Sequence, residues 1–115
     1  MKPRDVRVPL YDMLRAADAI AEFTEGHTFE QYAEDLLLRS AVERQFEILG
    51  EAMGKVLRIE PDLAAGFDEA QGVIDFRNVI AHGYDKVSDR VVWDVATGRL
   101  TRLRREIAAL LQERG

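Results

Sequence analysis

The sequence contains no cysteine, and histidine occurs only at His27 and His82. The lack of cysteine excludes disulfide bonds, thiolate zinc sites and a cysteine nucleophile. Two histidines are too few for a multi-histidine metal site within one chain. No apolar run approaches the roughly 18 residues of a membrane span, and the charged N-terminal segment has no signal-peptide core. We therefore expect a cytoplasmic protein with no membrane segment and no metal or other cofactor.

Proline is also scarce, and none of its three copies interrupts a helical pattern. The 115 residues, 47% hydrophobic and 32% charged, suit one globular domain over residues 1–115. Apolar residues recur at three- and four-residue spacings, and no segment shows the alternation typical of strands. These patterns predict an all-α fold, an antiparallel bundle of four main helices that allows an extra short helix.

Local signals set the expected helix ends. Gly26 suits a left-handed conformation after the first helix, and Thr28 opens a capping-box pattern. Asp35 is the expected site of a break, Ser88 an N-cap and Gly98 a kink. We predict helices over residues 9–25, 28–59, 68–81 and 88–112, and a loop over residues 63–66.

The charge is acidic overall and uneven along the chain. Acidic residues outnumber basic residues by 21 to 16, which is not the balance of a general nucleic-acid binder. Residues 77–105, however, contain seven basic and three acidic residues. Such a region is compatible with a small phosphate-binding site, and also with a solvent-exposed helix face of mixed charge.

The clearest candidate for a chemical site is the segment that begins at Arg77 and ends at His82. Asn78 and His82 are four residues apart and share a helix face, with Arg77 about 100° round the helix from Asn78. A guanidinium can hold phosphate oxygens and stabilise transition-state charge, while an imidazole moves a proton. RNA supplies its own 2′-hydroxyl nucleophile, so this pair suits phosphodiester cleavage without a metal.

A structural interpretation of the same residues is open on spacing alone. His82 would then cap its helix, and Arg77 would form an ion pair with Asp75 or Asp85. Tyr84 would pack its ring against the bundle rather than present an exposed hydroxyl.

Glu43, Glu47 and Glu51 repeat every four residues and form a carboxylate stripe. A helical di-metal site would add Glu-x-x-His pairs, and the chain has none. The stripe therefore favours a solvated or interface face over a metal site.

Gly50, in the same helix, would permit a close approach between helices. The expected surface ion pairs are Glu51 with Lys55 and Arg39 with Glu43.

Taken together, these residues resemble the HepT-like toxins of the HEPN superfamily, helical domains of prokaryotic toxin–antitoxin and defence systems. The family signature is an arginine, a polar residue, a short helical spacer and then His-x-Tyr, and Arg77, Asn78, His82 and Tyr84 match it in order. Gly83 stands where the family often has a charged residue. The resemblance also includes Arg4-Asp5, residues 11–14, residues 28–30, Arg44 and residues 47–52.

The resemblance implies a metal-independent endoribonuclease toxin that forms a homodimer in which two Arg-His motifs line a shared cleft. We expect a homodimer or a higher assembly. If the family's roles apply to the matching positions, Arg77 and His82 are catalytic and Asn78 supports them. The implied antitoxin is a minimal nucleotidyltransferase of the MntA kind, which transfers AMP to the motif tyrosine, Tyr84. An alternative is a non-catalytic partner subunit that helps a nucleotidyltransferase bind its substrate. The intact Arg77 and His82 pair favours the ribonuclease.

Overall fold

The computed structural model describes residues 5–82 and 88–115, which are helical and contain no strand. Four main helical units and one short helix confirm the predicted bundle. The α-helices are α1 (Arg7–Thr24), α2 (Phe29–Glu34), α3 (Leu36–Ile59), α4 (Ala70–His82), α5 (Asp89–Asp94) and α6 (Leu100–Arg114). A 3-10 helix (Pro61–Gly66) precedes α4, and a π-helical turn (Val95–Arg99) joins α5 to α6.

Three predicted helix signals are confirmed at the level of hydrogen bonds. The Thr28 hydroxyl accepts from the Gln31 backbone N–H at 3.1 Å, and the Gln31 side chain accepts from the Thr28 N–H at 2.9 Å. The Asp35 carboxylate separates α2 from α3 and accepts from the Leu38 N–H at 3.0 Å. Ser88 caps α5 through the Val91 N–H, and Gly26 has a φ of 78° after α1.

Two predicted features differ in the structure. Residues 63–66, expected as a loop, belong to the 3-10 helix, because Pro61 fits its first turn and Leu63 is buried. The kink expected at Gly98 is instead a π-helical turn, which absorbs the irregularity without ending the helix.

The core lies between α1, α3 and α6. α1 packs along α3 and α6, whereas α4 packs chiefly against α3. None of the helices formed by residues 5–82 and 88–115 combines the length and apolarity needed to cross a bilayer. The largest fully buried side chains are Leu10, Met13, Ile20, Tyr32, Val42, Leu49, Met53, Val56, Val92 and Ile107.

Candidate active site

Arg77 lies where α4 crosses the backbone of α3. The contact point on α3 is Gly50, which is buried. A Cβ atom built on Gly50 would lie 2.2 Å from the Arg77 Cβ and 2.8 Å from its Cγ. Beside this contact the rings of Phe46 and Phe76 meet edge to face, with centroids 5.1 Å apart. The close helix approach predicted at Gly50 is therefore confirmed, and the residue it accommodates is Arg77.

The two ends of the Arg77 guanidinium have different environments. Nη1 donates a hydrogen bond to the Asn78 side-chain oxygen at 3.1 Å. Nε is buried and has no hydrogen-bond partner among the residues that the structure describes. A buried donor without an acceptor costs about 1–3 kcal/mol, and such groups are uncommon in folded proteins. The arginine is thus held by packing along its stem and by one hydrogen bond at its tip.

His82 is the last residue of α4 and is exposed. Arg77, Asn78 and His82 all belong to the described part of the chain, and no hydrogen bond joins His82 to the other two. The helix separates Arg77 from His82 by about 7.5 Å along its axis and about 140° around it. The structure therefore brings Arg77 and Asn78 together and leaves His82 apart.

One of the two ion pairs predicted for Arg77 by the structural interpretation, the pair with Asp75, is not formed. Asp75 accepts a hydrogen bond from the Gln71 side chain at 3.0 Å, and among described side chains it forms no ion pair with Arg77. The other candidate, Asp85, and the motif tyrosine, Tyr84, lie outside the described residues.

Carboxylates pair with four of the described arginines in the basic region predicted for residues 77–105. Several of its arginines form ion pairs with carboxylates, three of which belong to segments earlier in the chain. These pairs weaken the attraction of the paired arginines for a nucleic acid. The pairs are Arg90–Asp94 at 3.3 Å, Arg99–Glu69 at 3.2 Å, Arg102–Asp68 at 3.3 Å and Arg104–Asp18 at 2.8 Å.

A separate cleft of about 340 Å³ opens between the start of α4 and the helical segment after α5. Its floor is apolar and its rim carries the Arg99 and Arg102 ion pairs, while Arg77 is not part of its lining. The cleft therefore adjoins the Arg77 contact through Phe46 and Phe76 without including Arg77 itself. Its apolar floor includes Phe46, Leu49, Val73, Phe76, Val95, Leu100 and Leu103.

The carboxylate stripe on α3 is engaged in ordinary surface contacts. Glu51 pairs with Lys55 at 4.0 Å, as predicted. The expected Arg39–Glu43 pair is wrong, because the Arg39 guanidinium lies 3.9 Å from the Asp89 carboxylate at the start of α5. Within residues 5–82 and 88–115, no group of three metal-binding side chains converges.

Burial raises the pKa of the Glu43 carboxyl, and the nearby Asp89 carboxylate raises it further. The adjacent Tyr32 was not singled out by the sequence. It is fully buried, and its hydroxyl has no hydrogen-bond partner in the described part of the chain. Burial, followed by the charge of Glu43, raises the pKa of this phenol. The Tyr32 ring contacts Trp93 with centroids 5.3 Å apart, which joins α2 to α5.

Comparison with known proteins identifies the relationship of this chain. "Putative RNase MJ0127" of Methanocaldococcus jannaschii is 27% identical over 115 residues, covering 98% of this chain and 93% of that protein. "Putative RNase MJ1380" of the same organism is 28% identical over 109 residues, covering 93% and 97%. No solved structure matches. The family model described as "Ribonuclease HepT-like" matches residues 13–110, which contain the whole Arg77–His82 segment. Because this match spans most of the chain, the protein belongs to the HepT-like ribonuclease family.

Proposed function

We propose that this chain is the toxin of a toxin–antitoxin pair and a metal-independent endoribonuclease, with residues 1–115 acting as one domain. One observation carries the assignment. Arg77 is fixed against α3 and hydrogen-bonded to Asn78, on a helix that ends at an exposed His82. Family membership supports RNA as the substrate, and the relatives carry names that describe them as RNases.

The proposed reaction uses the ribose 2′-hydroxyl as the nucleophile. The 2′-oxygen attacks the adjacent phosphorus, and the bond from phosphorus to the 5′-oxygen breaks. The 2′-hydroxyl loses a proton and the leaving 5′-oxygen gains one, which leaves a 2′,3′-cyclic phosphate and a 5′-hydroxyl end. His82 moves a proton at one of these oxygens, and Arg77 stabilises the charge on the pentacoordinate phosphorus. Asn78 orients the guanidinium through its hydrogen bond to Nη1.

The working form in this proposal is a homodimer with a shared cleft. Within one chain, the helix turns Arg77 and His82 about 140° apart, and no hydrogen bond joins these two described residues. A second copy facing α4 supplies a second Arg-His pair on the other side of the bound RNA. Val79 lies on the same helix, about 60° round its axis from His82, and is 50% exposed, which suits contact with another chain.

The proposed antitoxin is an MntA-like nucleotidyltransferase that modifies Tyr84. The Tyr84 phenol oxygen attacks the α-phosphorus of ATP, pyrophosphate leaves, and the phenol proton is lost. The product carries an anionic phosphate two residues after His82. This phosphate competes with RNA phosphate for Arg77, so the modification blocks the site without unfolding the protein.

Cleavage of a fluorescently labelled pool of random single-stranded RNA tests the activity. We expect His82→Ala and Arg77→Ala to lower the rate on the order of 10²–10⁴-fold. His27→Ala and Arg15→Ala are the controls, because both side chains are exposed and lie outside the site. Full-rate cleavage by His82→Ala, or complete loss of cleavage with a metal chelator, would contradict the mechanism. A chain that never cleaves RNA but binds a nucleotidyltransferase is the partner subunit of the alternative interpretation.

Intact-mass measurement tests the modification. The protein is incubated with an MntA-like nucleotidyltransferase, ATP and magnesium. We expect AMP adducts on the parent chain and none on Tyr84→Phe. Tyr11→Phe is the control, because Tyr11 is an exposed tyrosine on α1. Adducts that persist in Tyr84→Phe would show that another residue is modified.

A further inference from the structure

The contact between Gly50 and Arg77 is closer than any side chain at position 50 would allow. A Cβ there would lie 2.2 Å from the Arg77 Cβ and 3.2 Å from the Val73 carbonyl oxygen, whereas ordinary contacts begin near 3.4 Å. The clash involves the first carbon atoms of the Arg77 side chain and the backbone of α4. Neither can rotate away, so α3 and α4 would have to separate by about 1 Å to relieve it.

The requirement at Gly50 is for space and not for backbone conformation. Among the described residues, the only positive φ belongs to Gly26, so Gly50 has an ordinary helical backbone. Gly54 lies one turn later in the same helix and has a different environment. The nearest heavy atom to a Cβ on Gly54 is Arg58 Nη1 at 3.4 Å, the end of a flexible side chain. The two glycines therefore provide a matched pair in which only Gly50 contacts Arg77.

The same contact determines where the Arg77 guanidinium lies. The start of the side chain is pressed against α3 at Gly50, and Nε is sealed from solvent at the helix contact. Only the tip reaches the surface, where Asn78 holds Nη1. A separation of α3 from α4 would therefore move the guanidinium and open the space around Nε. A shift of about 1 Å in a group that stabilises a transition state can cost about 100-fold in rate.

We infer that Gly50 is a positioning residue of the active site, which acts on the reaction by holding Arg77 in place. This inference rests on the proposed function, in which Arg77 stabilises the charge on the scissile phosphate. The inference gives a residue of α3 a role in the reaction, in addition to the motif residues on α4. The residue type is decisive, because even the single methyl group of alanine collides with the Arg77 stem.

The first test compares Gly50→Ala with Gly54→Ala in the RNA-cleavage assay. We expect Gly50→Ala to lower kcat by about 10- to 100-fold with a smaller change in KM, and Gly54→Ala to keep the parent values. The substitution is repeated in an Arg77→Ala background. There Gly50→Ala should lower the residual rate no further, because the group it positions is gone. A further loss in that background would indicate a general weakening of the fold and overturn the inference.

The second test does not depend on activity. The Arg77 Nε–H resonance is identified in ¹⁵N-labelled protein by its loss in Arg77→Lys. We expect it to exchange slowly with water in the parent and in Gly54→Ala, and rapidly in Gly50→Ala, where the helices separate. An unchanged exchange rate in Gly50→Ala would overturn the inference. These data stand even if Arg77→Ala cleaves RNA at the parent rate, the result that would reject the proposed function instead.

A third variant covers the case in which Gly50→Ala does not fold. Gly50→Ala combined with Arg77→Gly removes the Cβ that causes the collision. We expect the double variant to recover the helical circular dichroism of the parent. Recovery would show that the Arg77 stem is what position 50 must accommodate. If both variants fail to fold, the requirement at Gly50 is not specific to Arg77 and the inference is wrong.

Discussion

α1 and α4 both pack on α3, but they are held there in different ways. Seven of the 18 residues of α1 are buried, compared with two of the 13 in α4. None of the ten largest fully buried side chains belongs to α4. α1 is fixed by a wide apolar face, whereas α4 depends on a few contacts such as Gly50 with Arg77 and Phe46 with Phe76. The helix that carries the candidate site therefore contributes little to the core.

In this small protein, therefore, the helices that stabilise the fold differ from the helix that carries the candidate site. Hydrophobic burial along α1, α3 and α6 supplies most of the folding free energy. α4 carries a buried polar nitrogen without a described partner at Arg77, a feature that the described residues of α1, α3 and α6 do not show. Substitutions in the two helices should consequently affect different measurements.

The largest expected effect on stability is in α1. Leu10 is 0% exposed, so Leu10→Ala should lower the free energy of unfolding by about 2–5 kcal/mol. Val79→Ala on α4 should change it by less than about 0.5 kcal/mol, because half of the side chain is exposed. Urea denaturation at one protein concentration measures both. Equal losses would mean that α4 is as much a part of the core as α1.

The second effect concerns self-association. Val79→Lys should weaken the proposed dimer by at least about tenfold, because it places a charge on the face of α4 that meets the second copy. Val8→Lys is the matched control, since Val8 is 62% exposed on α1. Sedimentation equilibrium measures the association constants, and circular dichroism checks the fold. Dissociation by Val8→Lys alone would place the dimer contact on α1.

A smaller effect is expected for the ion pair that joins α6 to α1. Arg104 Nε donates a hydrogen bond to Asp18 Oδ1 at 2.9 Å, and Arg104 Nη2 lies 2.8 Å from the same oxygen. Both side chains are partly exposed, so Asp18→Asn should cost about 0.2–1 kcal/mol, with less effect at high salt. Asp94→Asn, which removes a pair within α5, is the control. A loss independent of salt would indicate packing rather than charge.

The smallest effect should depend on pH. Burial and Asp89 raise the pKa of Glu43 above its ordinary value of 4.5, so the folded state binds this proton more tightly than the unfolded state. Stability from this group is therefore present below pH 4.5 and lost as the pH rises through the folded pKa. Glu43→Gln should melt higher than the parent at neutral pH and lose that advantage in acid. Glu22→Gln, on exposed α1 surface, is the control, and an advantage for Glu43→Gln that grows in acid would contradict the assignment.

The sequence allowed most of the fold to be predicted, because the signals are local. The capping box at Thr28, the break at Asp35 and the cap at Ser88 each involve residues three positions apart or fewer. The π-helical turn was missed because Gly98 signals only a weak point in a helix, and nothing lies within 4 Å of its Cβ position to specify the irregularity.

In the candidate site, too, the local features could be predicted from the sequence and the long-range contact could not. The spacing of Arg77, Asn78 and His82 marks the motif, and the Arg77–Asn78 hydrogen bond joins neighbours in the chain. The contact with Gly50 spans 27 positions and depends on how α3 and α4 cross, which no local pattern encodes. Arg39 shows the same limit, because its local partner Glu43 is replaced by Asp89 from α5.

The packing of Tyr32 on Trp93 gives this protein an internal optical reporter. Trp93 is its only tryptophan, and it is half-buried on α5, the helix that follows the segment containing Tyr84. Its fluorescence emission depends on the contact between α2 and α5, where the two ring centroids are 5.3 Å apart. Changes in the contact between α2 and α5 can thus be followed in real time without a label.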